Sequence, residues 1–216
     1  MKIKRIIVSR TDKIGDLILS IPSFFMLKKM YPAAELLVLV RQYNYSIVKN
    51  LPYIDRIIKI DDYTLEDLKG ELKHFKADVF IALYSNSFVA GLARVSKAKI
   101  RIGPLSKLSS FFTYNKGVWQ KRSKSVKNEG EYNLDLVKKL DEKRFHETYE
   151  LNTALHYGES HKAAADKFLD QHGIHGSLVV LNPFIGGSAK NIRDEEYHSL
   201  IQSFRKRNPE IPVILT

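Results

Sequence analysis

"IKRIIVSRTDKIGDLILSIP", residues 3 to 22, opens on a β-branched apolar run, turns through Arg10, Asp12, Gly15 and Asp16, and enters a long apolar helical pattern. A short Ile/Val run, a polar turn carrying glycine and a helix in succession are the start of a β-α unit. The same alternation continues downstream. "ELLVLVR" (35 to 41), "RIIKI" (56 to 60), "DVFIALY" (78 to 84) and "KIRIG" (99 to 103) read as further short strands, most of them apolar nearly throughout. Strands of that kind are covered on both faces. The stretches between them, 16 to 30, 43 to 50, 64 to 75 and 86 to 96, are long enough for crossover helices; in "YTLEDLKGELKHF", Leu65, Leu68, Leu72 and Phe75 recur at helical steps while Glu66, Lys69 and Lys73 face away. The predicted class is α/β, with a parallel, doubly wound sheet.

After residue 127, "NEGEYNLDLVKKLDEK" (128 to 143) reads as one helix, and "RFHETYELNTALHYGES" as a connector without a clear period. A second unit follows as helix "SHKAAADKFLDQHGI", strand "SLVVLN", loop "PFIGGSAK", helix "NIRDEEYHSLIQSFRKR" and strand "IPVILT". The expected organisation is a complete Rossmann-like domain over 1–150 and the start of a second, incomplete one over 151–216. This fits 216 residues, too many for one small domain and too few for two full α/β domains. Two strands cannot close such a sheet, and "IPVILT" near an open edge is a predicted aggregation risk.

Composition narrows the function classes. With 44% hydrophobic and 27% charged residues the chain is globular rather than disordered. It has no cysteine, which removes disulfides and thiolate metal sites and fits a reducing compartment. The basic N-terminus is followed by neither a long apolar run nor a cleavage site, and Leu17 to Leu27, the longest apolar stretch, is too short and too interrupted to span a bilayer. A cytoplasmic protein, soluble or peripheral, is expected. The net charge of +11 is concentrated: Ser96 to Lys127 contains nine basic residues, among them Arg101, Lys121 and Arg122, and no acidic one. Phe111, Phe112, Tyr114 and Trp119 interleave with them. Such a segment suits an anionic lipid surface or nucleic-acid phosphates and bases, or it is a solvated loop whose aromatics pack back. No nucleic-acid motif accompanies it, so nucleic acid is not an expected partner.

Two turns carry candidate chemistry. Ligands of open α/β sheets bind at the carboxyl ends of strands, where the first β-α turn lies. Gly15 there allows close backbone approach to a ligand, Asp12 is a turn residue, and Arg10 is its partner or an anion contact. Asp16 is either a helix N-cap or a general base facing an interdomain cleft. In "NPFIGGSAKN" (182 to 191), Gly186, Gly187, Ser188 and Lys190 offer N–H groups, a hydroxyl and a cation to a diphosphate, against the alternative of an ordinary glycine-rich turn. Neither a Walker A nor a G-x-G-x-x-G pattern occurs, the histidines lack metal-site spacing, and no D-x-D triplet is present. No metal and no cofactor are expected.

Four segments together resemble the ADP-heptose:lipopolysaccharide heptosyltransferases of glycosyltransferase family 9. They are "RTDKIGDLILSIPSFFMLKKMYP", similar to the family's R-x-D-x-x-G-D turn and helix; "ADVFIALYSNSFVAGLARVSKAKIRIG"; "NEGEYNLDLVKKL", similar to H-E-V-E-Y-N-L-x-L-L; and "VVLNPFIGGSAKNIRDEEYHSLI", similar to N-P-G-A-x-x-x-A-K-R-W-P-x-E-x-F. The resemblance implies a GT-B architecture, the acceptor on the first domain and an ADP-heptose donor on the second. It also implies an inverting, metal-independent transfer with Asp16 as base, and Lys190 on the donor diphosphate. Arg10, Arg101, Lys121 and Arg122 are acceptor-side candidates, for a lipopolysaccharide core or lipid A-linked acceptor met peripherally at the inner face of the inner membrane. The chain departs from the family at Asn128, Gly130 and Asn191–Ile192–Arg193, and the family's T-G-x-x-H donor motif is not reached. The alternatives are a catalytically inactive fragment that binds only the anionic glycolipid and, behind it, a nucleic-acid-binding domain.

Overall fold

The computed structural model describes residues 2–105, 108–124, 126–183 and 192–216. The chain forms two compact units, Met1–Tyr157 and Gly158–Thr216.

The first unit runs β1 (Arg5–Ser9), α1 (Ile14–Ile18), α2 (Ile21–Met30), β2 (Glu35–Val40), α3 (Tyr45–Val48), β3 (Arg56–Lys59), α4 (Leu65–Phe75), β4 (Val79–Ala82), α5 (Ser87–Val95), β5 (Ile100–Ile102), α6 (Leu108–Phe111), α7 (Glu129–Lys138) and α8 (Glu142–Thr148). Its five strands are all parallel in the order β3-β2-β1-β4-β5, so β1 is central and the winding reverses beside it. Side chains alternate between the faces, as the period of a strand requires. Ile6, Val8, Leu36, Val38, Val79 and Ile81 join one core, with α2, α7 and α8. Ile7, Leu37, Leu39 and Phe80 join the other, with α4 and α5. Burial on both faces explains why these strands read as unbroken apolar runs.

Two expectations are corrected. The helix expected over 16 to 30 is two: Pro22, in the first turn of α2, has no N–H to continue the ladder, and Ser20 stands at the N-cap position of α2 with its hydroxyl donating back to the Asp16 carbonyl (2.8 Å). The helix expected over 128 to 143 ends as α7 at Lys138, and a separate helix, α8, starts at Glu142, capped by Asp141, whose side chain accepts from Arg144 N (3.0 Å), and runs into the expected connector. Of its residues only Phe145 is buried, which left no period to read.

The second unit contains α9 (Glu159–Gln171), β6 (Val179–Leu181), α10 (Asp194–Arg207) and β7 (Val213–Leu215). β6 and β7 pair in parallel, Val179 opposite Val213. Among the described residues no helix is long and apolar enough to cross a membrane.

Candidate functional site

The first β-α turn is built around a buried guanidinium. Arg10 follows β1 directly, extends its pairing through N–H donation to Leu39 O (3.0 Å), and is only 1% exposed. A charge so far from water must have its donors matched. Nη1 donates to Glu129 Oε1 (2.9 Å), Asn133 Oδ1 (3.1 Å) and the Leu83 carbonyl (3.1 Å). Nη2 lies 3.2 Å from Asp16 Oδ1, and Nε 2.7 Å from Asp12 Oδ1, an ion pair without hydrogen-bond alignment. The two carboxylates of the turn therefore have a structural reason: with Glu129 they neutralise an arginine that the sheet buries.

Helix α7 supplies the other half of this hub. Asn128 caps it in a reciprocal box, accepting from Glu131 N (3.0 Å) while the Glu131 carboxylate accepts from Asn128 N (2.8 Å). Glu129 and Asn133 stand one turn apart and both reach Arg10, and the Asn133 amide also donates to Ser20 Oγ (3.1 Å), tying α7 to the α1–α2 junction. Gly130 packs close to that junction, since a Cβ there would lie 3.3 Å from the Leu19 carbonyl. A second guanidinium, from Arg122, pairs with Glu129, donates to Leu83 O (3.3 Å) and stacks over Tyr132. Three carboxylates thus face two arginines.

Asp16 is in the first turn of α1, whose N-cap is Lys13; the N-cap alternative for Asp16 does not hold. Its side chain is about one third exposed (32%) while its oxygen stays on Arg10, so it is both anchored and accessible. Gly15 has no internal reason to be glycine: a Cβ there would meet nothing within 4 Å. Asp12 is more enclosed. Its backbone carbonyl accepts from the Tyr43 hydroxyl and Asn44 Nδ2, and burial pushes its carboxyl above the usual carboxylate range, offset by Arg10 and reinforced by Asp16 and Glu129.

Arg10, Gly15, Asp16 and Arg122 are therefore assembled in one place, and Arg101 and Lys121 are not part of the hub. Arg101 donates to the carbonyls of Thr113 and Ala98 (both 2.8 Å), bracing its own segment, and Lys121 offers its backbone carbonyl to the Tyr132 hydroxyl (2.9 Å). Gly186, Gly187, Ser188 and Lys190 lie outside the described residues. Sequence reasoning did not single out Glu129, Tyr132 or Asn133. A signal existed: Glu129 and Asn133 continue the helical line of Val137, so polar groups sit on a core-facing stripe, which is unusual unless they are paired.

No family model matches the chain. It is 32% identical over 209 residues to a Haemophilus influenzae protein named "Putative glycosyltransferase", a match covering 92% of this chain and 60% of that protein. Among solved structures it is similar to a glycosyl transferase family 9 protein from Veillonella parvula (TM-score 0.79, 19% identity, 100% of this chain and 63% of that one). It is also similar to the E. coli ADP-heptose lps heptosyltransferase II (0.73, 16%, 98% and 63%) and to E. coli heptosyltransferase WaaC with ADP (0.61, 17%, 98% and 66%). The chain thus spans about three fifths to two thirds of the length of the proteins it matches.

Proposed function

We propose that this chain, which is similar to a protein named "Putative glycosyltransferase" and has the fold of a glycosyl transferase family 9 structure, acts in transfer of a heptose from ADP-heptose to a hydroxyl of a lipopolysaccharide core or lipid A-linked acceptor. In this reading residues 1–150 form the acceptor side and 151–216 the start of the nucleotide-sugar side, working at the cytoplasmic face of the inner membrane.

Asp16 carries the proposal, being the carboxylate of the turn that is held by a buried arginine and still open to solvent. In the step we propose, Asp16 takes the proton of the acceptor hydroxyl as its oxygen attacks the anomeric carbon of the sugar. The bond from that carbon to the diphosphate breaks, ADP departs with the electron pair, and the configuration inverts, with no metal required. Negative charge accumulates on the departing phosphate, where Lys190 and the N–H groups of Gly186, Gly187 and Ser188 would stabilise it. Arg10 holds the Asp16 carboxylate in place, so little reorganisation is needed when the hydroxyl arrives.

Asp16→Asn tests the assignment. Transfer from ADP-heptose should fall by about 10²- to 10⁴-fold, the usual worth of a general base, while ADP-heptose affinity measured by calorimetric titration stays unchanged. Transfer at the parental rate would remove Asp16 from the mechanism. Titration of the parent and of Lys190→Ala separates the second reading: a chain that retains the glycolipid but binds neither ADP nor ADP-heptose is an acceptor-binding protein only.

A further inference from the structure

The basic segment after β5 presents apolar side chains to water beside backbone that is tied down at Val118 and Lys121. Val118 N donates to the Gly103 carbonyl (3.0 Å) and Val118 O accepts from Leu105 N (2.9 Å). Gln120 Nε2 donates to the Tyr132 carbonyl (2.6 Å), and the Tyr132 hydroxyl bonds Lys121 O. Between these ties Trp119 is 72% exposed, its ring edge-on to Phe111 at 5.3 Å, and Phe112 is 78% exposed. Tyr114 does turn inward, buried to 3% with its hydroxyl 2.5 Å from Ser85 Oγ, so the alternative in which the aromatics pack back describes that ring, while Phe111, Phe112 and Trp119 stay exposed. Clustered exposed aromatics are uncommon in a monomer without a binding role.

Charge identifies the partner. Several cations of the segment are engaged internally: Arg122 on Glu129, Lys127 on Asp135 (2.8 Å), and Arg101 on backbone carbonyls. Lys121 and Lys124 follow the exposed tryptophan by two and five residues and make no ion pair among the described residues, and Ser96 to Lys127 contains no carboxylate to oppose an anion. Tryptophan and phenylalanine beside lysine is the composition that settles at the boundary between headgroups and acyl chains.

We propose that Phe111, Phe112 and Trp119 enter the headgroup layer of an anionic bilayer while Lys121 and Lys124 pair with lipid phosphates. The inference deepens the acceptor side of the proposed function and rests on that reading for its setting. Its test involves no sugar transfer, so either can fail without the other.

Trp119 is the chain's sole tryptophan and therefore reports directly. On vesicles of phosphatidylglycerol and phosphatidylcholine its emission should shift to the blue, be quenched by brominated acyl chains, and return to the free value in high salt. Pure phosphatidylcholine should bind more weakly. At roughly fivefold per lysine, Lys121→Gln combined with Lys124→Gln should weaken partitioning about 25-fold, and Phe112→Ser should reduce it with the fold unchanged by circular dichroism. The proposal is overturned by an unshifted spectrum on anionic vesicles, or by equal binding to neutral ones. It is equally overturned if the shift is produced by single-stranded RNA or by raising protein concentration, and not by vesicles, since the face would then serve nucleic acid or a second copy.

Discussion

Replacing Arg10 with methionine removes the positive centre of the hub while keeping much of its volume. The substitution leaves Asp12, Asp16 and Glu129 facing one another and strips a donor from the Asn133 side chain. Breaking one partner out of a buried ion pair costs about 3–5 kcal/mol. Here the low end applies, because the three carboxylates are 16%, 32% and 21% exposed and can recover some hydration, and because Arg122 still reaches Glu129 and Leu83. A loss of about 3 kcal/mol should lower Tm by about 6–12 °C at the size of the first unit. Urea unfolding followed by circular dichroism measures it, with Trp119 fluorescence reporting on that unit. Adding Asp12→Asn and Glu129→Gln to Arg10→Met should restore more than half of the loss, since the penalty is uncompensated charge rather than lost volume. A cost below about 1 kcal/mol, or a triple variant no more stable than the single one, would refute the account of the turn as a charge-balanced hub.

Three further outcomes follow from the same geometry. Asp12 has a folded pKa raised above 3.8, so the stability tied to its neutral form is complete below that value and lost as pH rises through the folded pKa; Asp12→Asn should be more stable than the parent at pH 7, with the difference closing on acidification. A variant less stable at neutral pH would reverse the sign. Gly15→Ala should hold or raise stability, by up to about 1 kcal/mol, because helical alanine outranks glycine and the new Cβ meets only space; if that space belongs to a substrate, KM should rise in the transfer assay, and unchanged kinetics would leave it without a ligand. In Gly103→Ala the new Cβ would lie 2.6 Å from the Tyr114 ring, so the ring must leave its pocket at a cost of about 1–3 kcal/mol. Burial pushes the Tyr114 phenol up to about 12, and its absorbance titration should then fall back toward 10; a titration that stays near 12 would mean that the ring had not moved.

The sheet was legible because five Ile/Val/Leu runs separated by helical stretches admit few arrangements, and the strands observed fall inside the runs that predicted them. The turn at Arg10, Asp12, Gly15 and Asp16 was legible as a strand-to-helix turn, since an apolar β-branched run gives way there to a helical pattern, but its internal pairing was not. Arg10 meets Glu129 and Asn133 across 119 and 123 positions of chain, and no local period reports such a contact. The break at Ser20 did have a signal in Pro22, which has no N–H to donate into the preceding turn, but the apolar stripe runs on across it and reads as one helix. Helix α8 escaped because a segment with a single buried side chain offers nothing periodic to detect.

The sequence distance between Arg10 and Glu129 also dictates an order of assembly. β1 can pair with β2 once residues 35 to 39 exist, but the arginine that follows β1 has no carboxylate from α7 until about ninety further residues have been made. Contacts of such span close after the local ones, because the loop entropy must be spent first. The turn that bears Asp16 should thus be among the last parts of the first unit to rigidify as the chain leaves the ribosome. Refolding kinetics should give Glu129→Gln a φ-value near zero, and a value near one would place α7 in the nucleus instead. The Asp16 carboxylate is in this way left without its full setting until the scaffold around it is complete.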